Sequence, residues 1–285
     1  MNYRIVSDSS SNIFELAGVD YTTVPMKVIV GEKEYIDADA LDVQGMVEDL
    51  KAYKGKSGSS CPNVQEWLEA FGDADCVFGA TISGGLSGSY NAAQQAARVW
   101  MEEKPGRRIH IFDTKSTGPQ QMMLCEKLAE LIGQGLEFDA IVEQAREYHN
   151  HTHILFCLES LTNLARNGRI NPAAAKVAGM LGIRVVGDAK DGQITPVEKP
   201  RGGKKAVAAL LKMLQERGFG AGKLLRIAHC FGESQASALE KAALEHFPGC
   251  RVQIEKTTAL CSFYAETGGL IIGFEGDFNT NNCIN

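Results

Sequence analysis

Ser83, Ser87 and Ser89 are interleaved with Gly84, Gly85 and Gly88 in the stretch Ser83-Gly84-Gly85-Leu86-Ser87-Gly88-Ser89. Hydroxyls donate hydrogen bonds without adding charge. Glycines let the backbone approach a ligand closely and take positive φ. The chemistry such a loop suits is the holding of a small anion, carboxylate or phosphate. The same residues also read as a tight turn, with Ser87 or Ser89 capping a helix. Two further polar stretches could join it. Lys56-Ser57-Gly58-Ser59-Ser60-Cys61-Pro62-Asn63 offers more hydroxyl donors, and Asp8-Ser9-Ser10-Ser11 offers a carboxylate that could orient hydroxyls or cap a helix. His149, His151 and His153 would share a face on a strand, as metal ligands do; they read equally as a polar hinge.

The elements around these loops explain the arrangement. Cys76 to Ile82 is a short apolar run that reads as a buried strand, and Asn91 to Val99 is an Ala-rich helix. A helix start carries unpaired N–H groups and partial positive charge, so a strand–loop–helix junction attracts anions. Tyr3 to Ser7 is a first strand ending at Asp8, and ligands of open α/β sheets gather at that carboxyl edge. Thr23 to Val30 reads as one strand, Gly31 to Glu34 as a turn into Tyr35 and Ile36, and 42–53 as a helix. Pro62 and Asn63 suit the entry to a helix over 64–71. Arg108 to Asp113 is a strand, followed by helices Gln120 to Gln134 and Phe138 to His149. Residues 3–150 thus alternate strand and helix, which predicts a mainly parallel, doubly wound α/β sheet.

The remainder reads as an α+β domain. It has a strand over 153–158, a helical turn bearing Leu161 and Leu164, a helix over 172–180 and a strand over 184–188. The hairpin Lys190-Asp191-Gly192-Gln193 leads to Ile194 to Val197; a helix (203–217), a strand (224–230), a helix (233–246) and a strand (251–256) complete it. The expected division is 1–154 and 155–285, with the ligand between the two domains.

Composition narrows the function. The chain has 285 residues, of which 44% are hydrophobic and 22% charged, a globular balance. Its formal net charge is −6, and the basic cluster Lys199 to Lys205 reads as a solvated loop, so no nucleic-acid partner is expected. Eight cysteines include no C-x-x-C pair. The start runs straight into a strand and no apolar run reaches ~18 residues, so neither signal peptide nor membrane span is expected and the location reads as cytoplasmic. Neither G-x-x-x-x-G-K-[ST] nor a G-x-G-x-x-G in the first βα turn is present, which disfavours a nucleotide enzyme. A serine hydrolase using Ser83 or Ser87 is the rival reading, but G-x-S-x-G is only nearly matched: Thr81 precedes Ser83, and Ser89 follows Ser87 where glycine is needed.

Taken together, the loops resemble the DegV family of bacterial fatty-acid-binding proteins. Asp8-Ser9-Ser10 is similar to the family's D-S-S, Ser59-Ser60-Cys61-Pro62 to T-S-x-P, and Ser83 to Tyr90 to S-S-x-L-S-G-T-Y, with Gly84 and Ser89 substituted. Asp113-Thr114, the run Leu161 to Ile170, Asp191-Gly192 and Arg201 follow in family order. The resemblance implies two α/β-type domains burying one long-chain fatty acid, with no cofactor, no metal and no catalysis. Carried over, the carboxylate would be held by Ser59, Ser60, Ser83 and Ser87. Tyr264 stands where the family has histidine, and Glu266 is expected to point away or to be neutralised, for instance by an arginine. The resemblance also implies a separate ATP-dependent fatty-acid kinase as partner, transient membrane-surface contact, and Arg169 and Arg201 as contacts for that partner or the acyl phosphate; structural arginines closing loops are the alternative.

Overall fold

The computed structural model describes residues 2–171, 173 and 181–277. The helix expected over 172–180 therefore lies, apart from Ala173, outside the described residues, as does Cys283.

The N-terminal sheet holds β1 (Tyr3–Asp8), β2 (Asp20–Val24), β6 (Cys76–Thr81) and β7 (Arg108–Asp113) in the order β2-β1-β6-β7, all parallel. β6 is buried along its whole length, as an inner parallel strand covered on both faces must be. On one face, α2 (Val64–Phe71) and α3 (Ser89–Glu103) pack around Trp67, Phe71 and Trp100. On the other, α4 (Pro119–Gly133) and α5 (Phe138–Asn150) pack around Phe78, Phe112, Leu124 and Leu128.

A six-stranded sheet follows in the order β10-β9-β8-β13-β11-β12. Its strands are β8 (Thr152–Leu158), β9 (Val185–Lys190), β10 (Gln193–Glu198), β11 (Leu224–His229), β12 (Arg251–Lys256) and β13 (Leu270–Glu275). Only β11 and β12 pair in parallel, so the α+β expectation holds. The period-2 alternation of β8 splits its side chains: Leu155 and Cys157 join the core under α7 (Gly203–Glu216) and α8 (Glu233–His246), while Phe156 and Leu158 point to the opposite face and join a core with Val28, Val30 and Phe263.

α4 lies between the two sheets. Pro119 through Cys125 are all buried, which fits a helix packed on more than one side. Its two glutamines reach in different directions. Gln121 Nε2 donates to Asp8 Oδ1 (3.0 Å) and Ala80 O (3.1 Å), whereas Gln120 Nε2 donates to Thr152 O (2.9 Å). The helix start meets β13 so closely that a Cβ on Gly273 would lie 2.7 Å from Gln120 N, so only glycine fits there.

Three expectations change. Thr23 to Val30 is not one strand: Pro25, which lacks an N–H for the ladder, separates β2 from β3 (Lys27–Val30), and the two join different sheets. The Ser-rich stretch after Lys56 is not wholly a loop. Ser57–Ser60 is β5, which with β4 (Lys33–Ile36) flanks β3 in an antiparallel sheet, setting Ser59 opposite Val28. Finally, α9 (Ala259–Ala265) and β13 follow residue 256, where the sequence reading assigned no element, and β13 is an inner strand. Val28 and Val30 of β3 and Met46 and Val47 of α1 (Val43–Ala52) share a core with Phe156, Leu158 and Phe263, so this early segment packs on the C-terminal unit.

Candidate functional site

At the carboxyl end of β6, between the sheets, lies a cavity of about 280 Å³. Ser59 and Ser60 of β5, Ser87 and Gly88 before α3, Arg169 after α6 (Thr162–Arg166), and Tyr264 of α9 form its polar walls. A second space of about 80 Å³ continues from it, and Leu86, Thr117, Leu164, Ile194, Tyr264 and Ile271 line both. Ile154, Phe156 and Leu158, alternate residues on one face of β8, wall this second space. A polar chamber thus opens into an apolar one.

Buried carboxylates position the walls. Asp8, fully buried at the end of β1, accepts from Ser10 Oγ (2.5 Å) and Gln121 Nε2 (3.0 Å) on Oδ1, and from Ser89 Oγ (2.6 Å) and Ile82 N (3.0 Å) on Oδ2. Burial pushes its carboxyl above the ordinary range, against the lowering effect of these donors. It makes no side-chain cap to the 3-10 turn Ser9–Ser11, so of the two roles open in the sequence it takes the orienting one. Asp37 does similar work on the other side. Its Oδ1 accepts from Ala259 N (2.8 Å), and its Oδ2 from Leu260 N (3.1 Å) and Ser9 Oγ (2.9 Å). This fixes the start of α9, which carries Tyr264, to the N-terminal unit. Sequence reading passed Asp37 over, because nothing local marks an aspartate whose backbone donors, Ala259 and Leu260, lie more than two hundred residues away. Asp113 Oδ1 accepts from Gly84 N (3.0 Å) and Lys115 N (3.1 Å), joining the loops that follow β6 and β7.

Ser59 Oγ lies 2.8 Å from Tyr264 Oη. Arg169 donates through Nε to Leu86 O (3.1 Å) and through Nη1 to Asn167 O, so backbone carbonyls fix its guanidinium at the cavity wall. Gly88 is the N-cap of α3, so neither Ser87 nor Ser89 fills that place. The expected carboxylate set therefore converges in part: Ser59, Ser60, Ser87 and Tyr264 share one chamber, and Arg169, expected as a contact for a partner or an acyl phosphate, lines the same chamber. Ser83 does not line it. Its side chain is fully buried and donates to Gly192 O (2.6 Å), tying the loop to the β9–β10 hairpin. Arg201 is exposed and forms a β-bridge with Ile183 away from the chamber. Glu266 turns elsewhere, as expected, but its carboxylate accepts from Asn163 N (3.0 Å) instead of meeting an arginine.

The three histidines do not share a strand face. His149 lies in the last turn of α5, His151 follows that helix and His153 is on β8; among the described residues no cluster of three or more His, Cys, Asp or Glu could hold a metal ion. His149 is buried with Nε2 2.9 Å from Thr114 O, and burial pushes its pKa down to about 4. A folded pKa below the unfolded value means that acid costs stability: the loss begins as pH falls through about 6.5 and is complete near 4. We therefore expect His149→Gln to flatten the dependence of unfolding free energy on pH between 7 and 5, measured by urea titration; an unchanged slope would remove His149 from that dependence.

Comparison with known proteins places the chain. The DegV family model matches residues 2–276. A DegV domain-containing protein of Streptococcus gordonii is 37% identical over 280 residues, covering 96% of this chain and 99% of its own. Among solved structures, a DegV family protein from Eubacterium eligens loaded with heptadecanoic acid aligns with TM-score 0.93 at 37% identity, covering 96% of this chain and 100% of its own. The fatty acid kinase (Fak) B3 protein of Streptococcus pneumoniae, loaded with linoleic acid, aligns with TM-score 0.94 at 37% identity, covering 97% and 100%. A third, a DegV family protein from Ruminococcus gnavus with vaccenic acid, aligns with TM-score 0.87 at 27% identity, covering 96% and 99%. With the family model spanning nearly its full length and the fold shared end to end, this chain belongs to the DegV family.

Proposed function

We propose that this protein binds one long-chain fatty acid between its two units and carries it, without itself catalysing a reaction on it. The observation that carries this reading is the continuity of a chamber walled by Ser59, Ser60, Ser87, Tyr264 and Arg169 with an apolar space walled by Ile154, Phe156, Leu158 and Ile271. A carboxylate suits the first: hydroxyl donors and one guanidinium hold an anion with charge-assisted hydrogen bonds. An alkyl chain suits the second. At ~0.8 kcal/mol per buried methylene, a long tail contributes roughly 10 kcal/mol before the costs of ordering. The relatives loaded with heptadecanoic, linoleic and vaccenic acid support the same ligand class.

A serine hydrolase is less well served. Ser83 commits its hydroxyl to Gly192 O, while His149 is engaged with Thr114 O and His151 with Glu147 O. The likeness to the fatty acid kinase (Fak) B3 protein supports a finer reading: the bound acid is presented to a separate ATP-dependent kinase subunit, which phosphorylates its carboxylate. Among the described residues no helix is long and apolar enough to cross a membrane. Mass spectrometry of lipid extracted from natively purified protein tests the ligand. We expect a stoichiometric acid of ~14–18 carbons, the range the family resemblance implies; repeated recovery of protein with no lipid, together with no uptake of added acid, would overturn the reading.

A further inference from the structure

We propose that the acyl tunnel opens at its far end into a polar cleft, and that the protein accepts long-chain acids bearing a hydroxyl on their terminal carbon. The inference rests on the fatty-acid reading and names a substrate class for that same site. Its basis is a third cavity. The apolar space beside β8 adjoins a cleft of about 410 Å³, and Lys115, Ile154, Asp188 and Ala189 line both. Beyond them the cleft is walled by Thr152, Lys190, Asp191, Thr195 and Arg217.

The junction is a built feature of the fold. Lys115 has φ +49°, a left-handed conformation that few side-chain-bearing residues adopt, and Asp113 Oδ1 accepts its N–H at 3.1 Å. Gly192, at φ +73°, lies over it: a Cβ there would be 3.3 Å from Lys115 Cβ and 2.4 Å from Ser83 Oγ. The hydrogen bond from Ser83 to Gly192 O holds the hairpin in that place. The turn that carries Lys190 and Asp191 is thus fixed beside the tunnel's end.

A tunnel sealed by hydrocarbon would reject a terminal hydroxyl, because the group would lose its water and find no partner. Here the chain end meets a polar space instead. The charges of that space are mixed: Lys115, Lys190 and Arg217 stand with Asp188 and Asp191, and Arg217 is paired with Asp188. Cationic donors and carboxylate acceptors both line it, so a terminal hydroxyl finds a partner as either donor or acceptor.

The test compares hexadecanoic acid with 16-hydroxyhexadecanoic acid on delipidated protein. We expect their dissociation constants to agree within about threefold, whereas a sealed tunnel would cost the hydroxy acid about tenfold or more. A penalty of that size in the wild type would overturn the inference while leaving fatty-acid binding intact. If neither acid binds, the fatty-acid reading itself falls, and this inference with it. In Ala189→Phe, which adds bulk at the junction, the ratio should shift at least about tenfold against the hydroxy acid. An unchanged ratio would mean that the hydroxyl does not reach the cleft, and would equally overturn the proposal.

Discussion

Arg169→Met is expected to weaken binding of a C16 fatty acid by roughly ten- to a hundredfold, the cost of about 1.5–3 kcal/mol for losing a hydrogen bond to a charged group. Among the polar chamber walls, Arg169 is the cationic side chain; Ser59, Ser60, Ser87 and Tyr264 supply hydroxyls. It is also already oriented. Two backbone carbonyls, Leu86 O and Asn167 O, take the N–H groups that would otherwise face several ways. A carboxylate then gains attraction with little side-chain ordering to offset it. Arg169→Lys should fall between, since it keeps the charge and loses the planar fork. The double variant Ser59→Ala, Ser87→Ala should weaken binding about tenfold by removing two neutral donors. Isothermal titration with delipidated protein measures all of these, and thermal unfolding of each variant checks that the fold survives. Unchanged affinity in Arg169→Met would place the head group elsewhere.

Asp8→Asn is expected to cost about 2–4 kcal/mol of folding stability, a large share of what a domain possesses. The reason is geometric. Oδ2 faces Ile82 N and Oδ1 faces Gln121 Nε2, and both of those groups can only donate. An asparagine has one oxygen and one NH₂. Whichever way it is turned, its NH₂ opposes a donor and leaves a buried group unpaired. Chemical denaturation of the wild type and the variant would measure the difference. A variant within 0.5 kcal/mol, about the scatter of ordinary surface substitutions, would show that the carboxylate is not what holds this junction. Because Asp8 also restrains Ile82 and Ser89 on either side of the loop, the variant should lose fatty-acid affinity as well.

The local elements were legible because their signals are local. β6 reads as a strand from its apolar run, the helix over 233–246 from its own composition, and α2 from Pro62 and Asn63 at its entry, where the structure adds a capping box between Asn63 and Glu66. The hydroxyl loops were legible for a related reason, since serine and glycine crowd together where a backbone must turn and bind. β5 was hidden because four residues of Ser and Gly carry no hydrophobic alternation; only pairing with β3 makes them a strand. Pro25 was a visible signal that the one-strand reading of Thr23 to Val30 did not use. The run Leu270-Ile271-Ile272-Gly273-Phe274 was equally visible as an apolar strand.

The sequence by itself determined the family pattern, the α/β then α+β order of elements, and the identity of the polar groups able to meet an anion. Only the tertiary structure decided which of them do. Ser83 and Ser87 are four residues apart in one loop, yet one ties down a hairpin and the other faces the chamber. Arg169 and Arg201 look alike as loop cations, yet only the first reaches the site. The physical reason is that a side chain's role depends on which distant groups compete for its hydrogen bonds. Those competitors, such as Gly192 for Ser83 and Leu86 for Arg169, become neighbours only when the sheets close around α4.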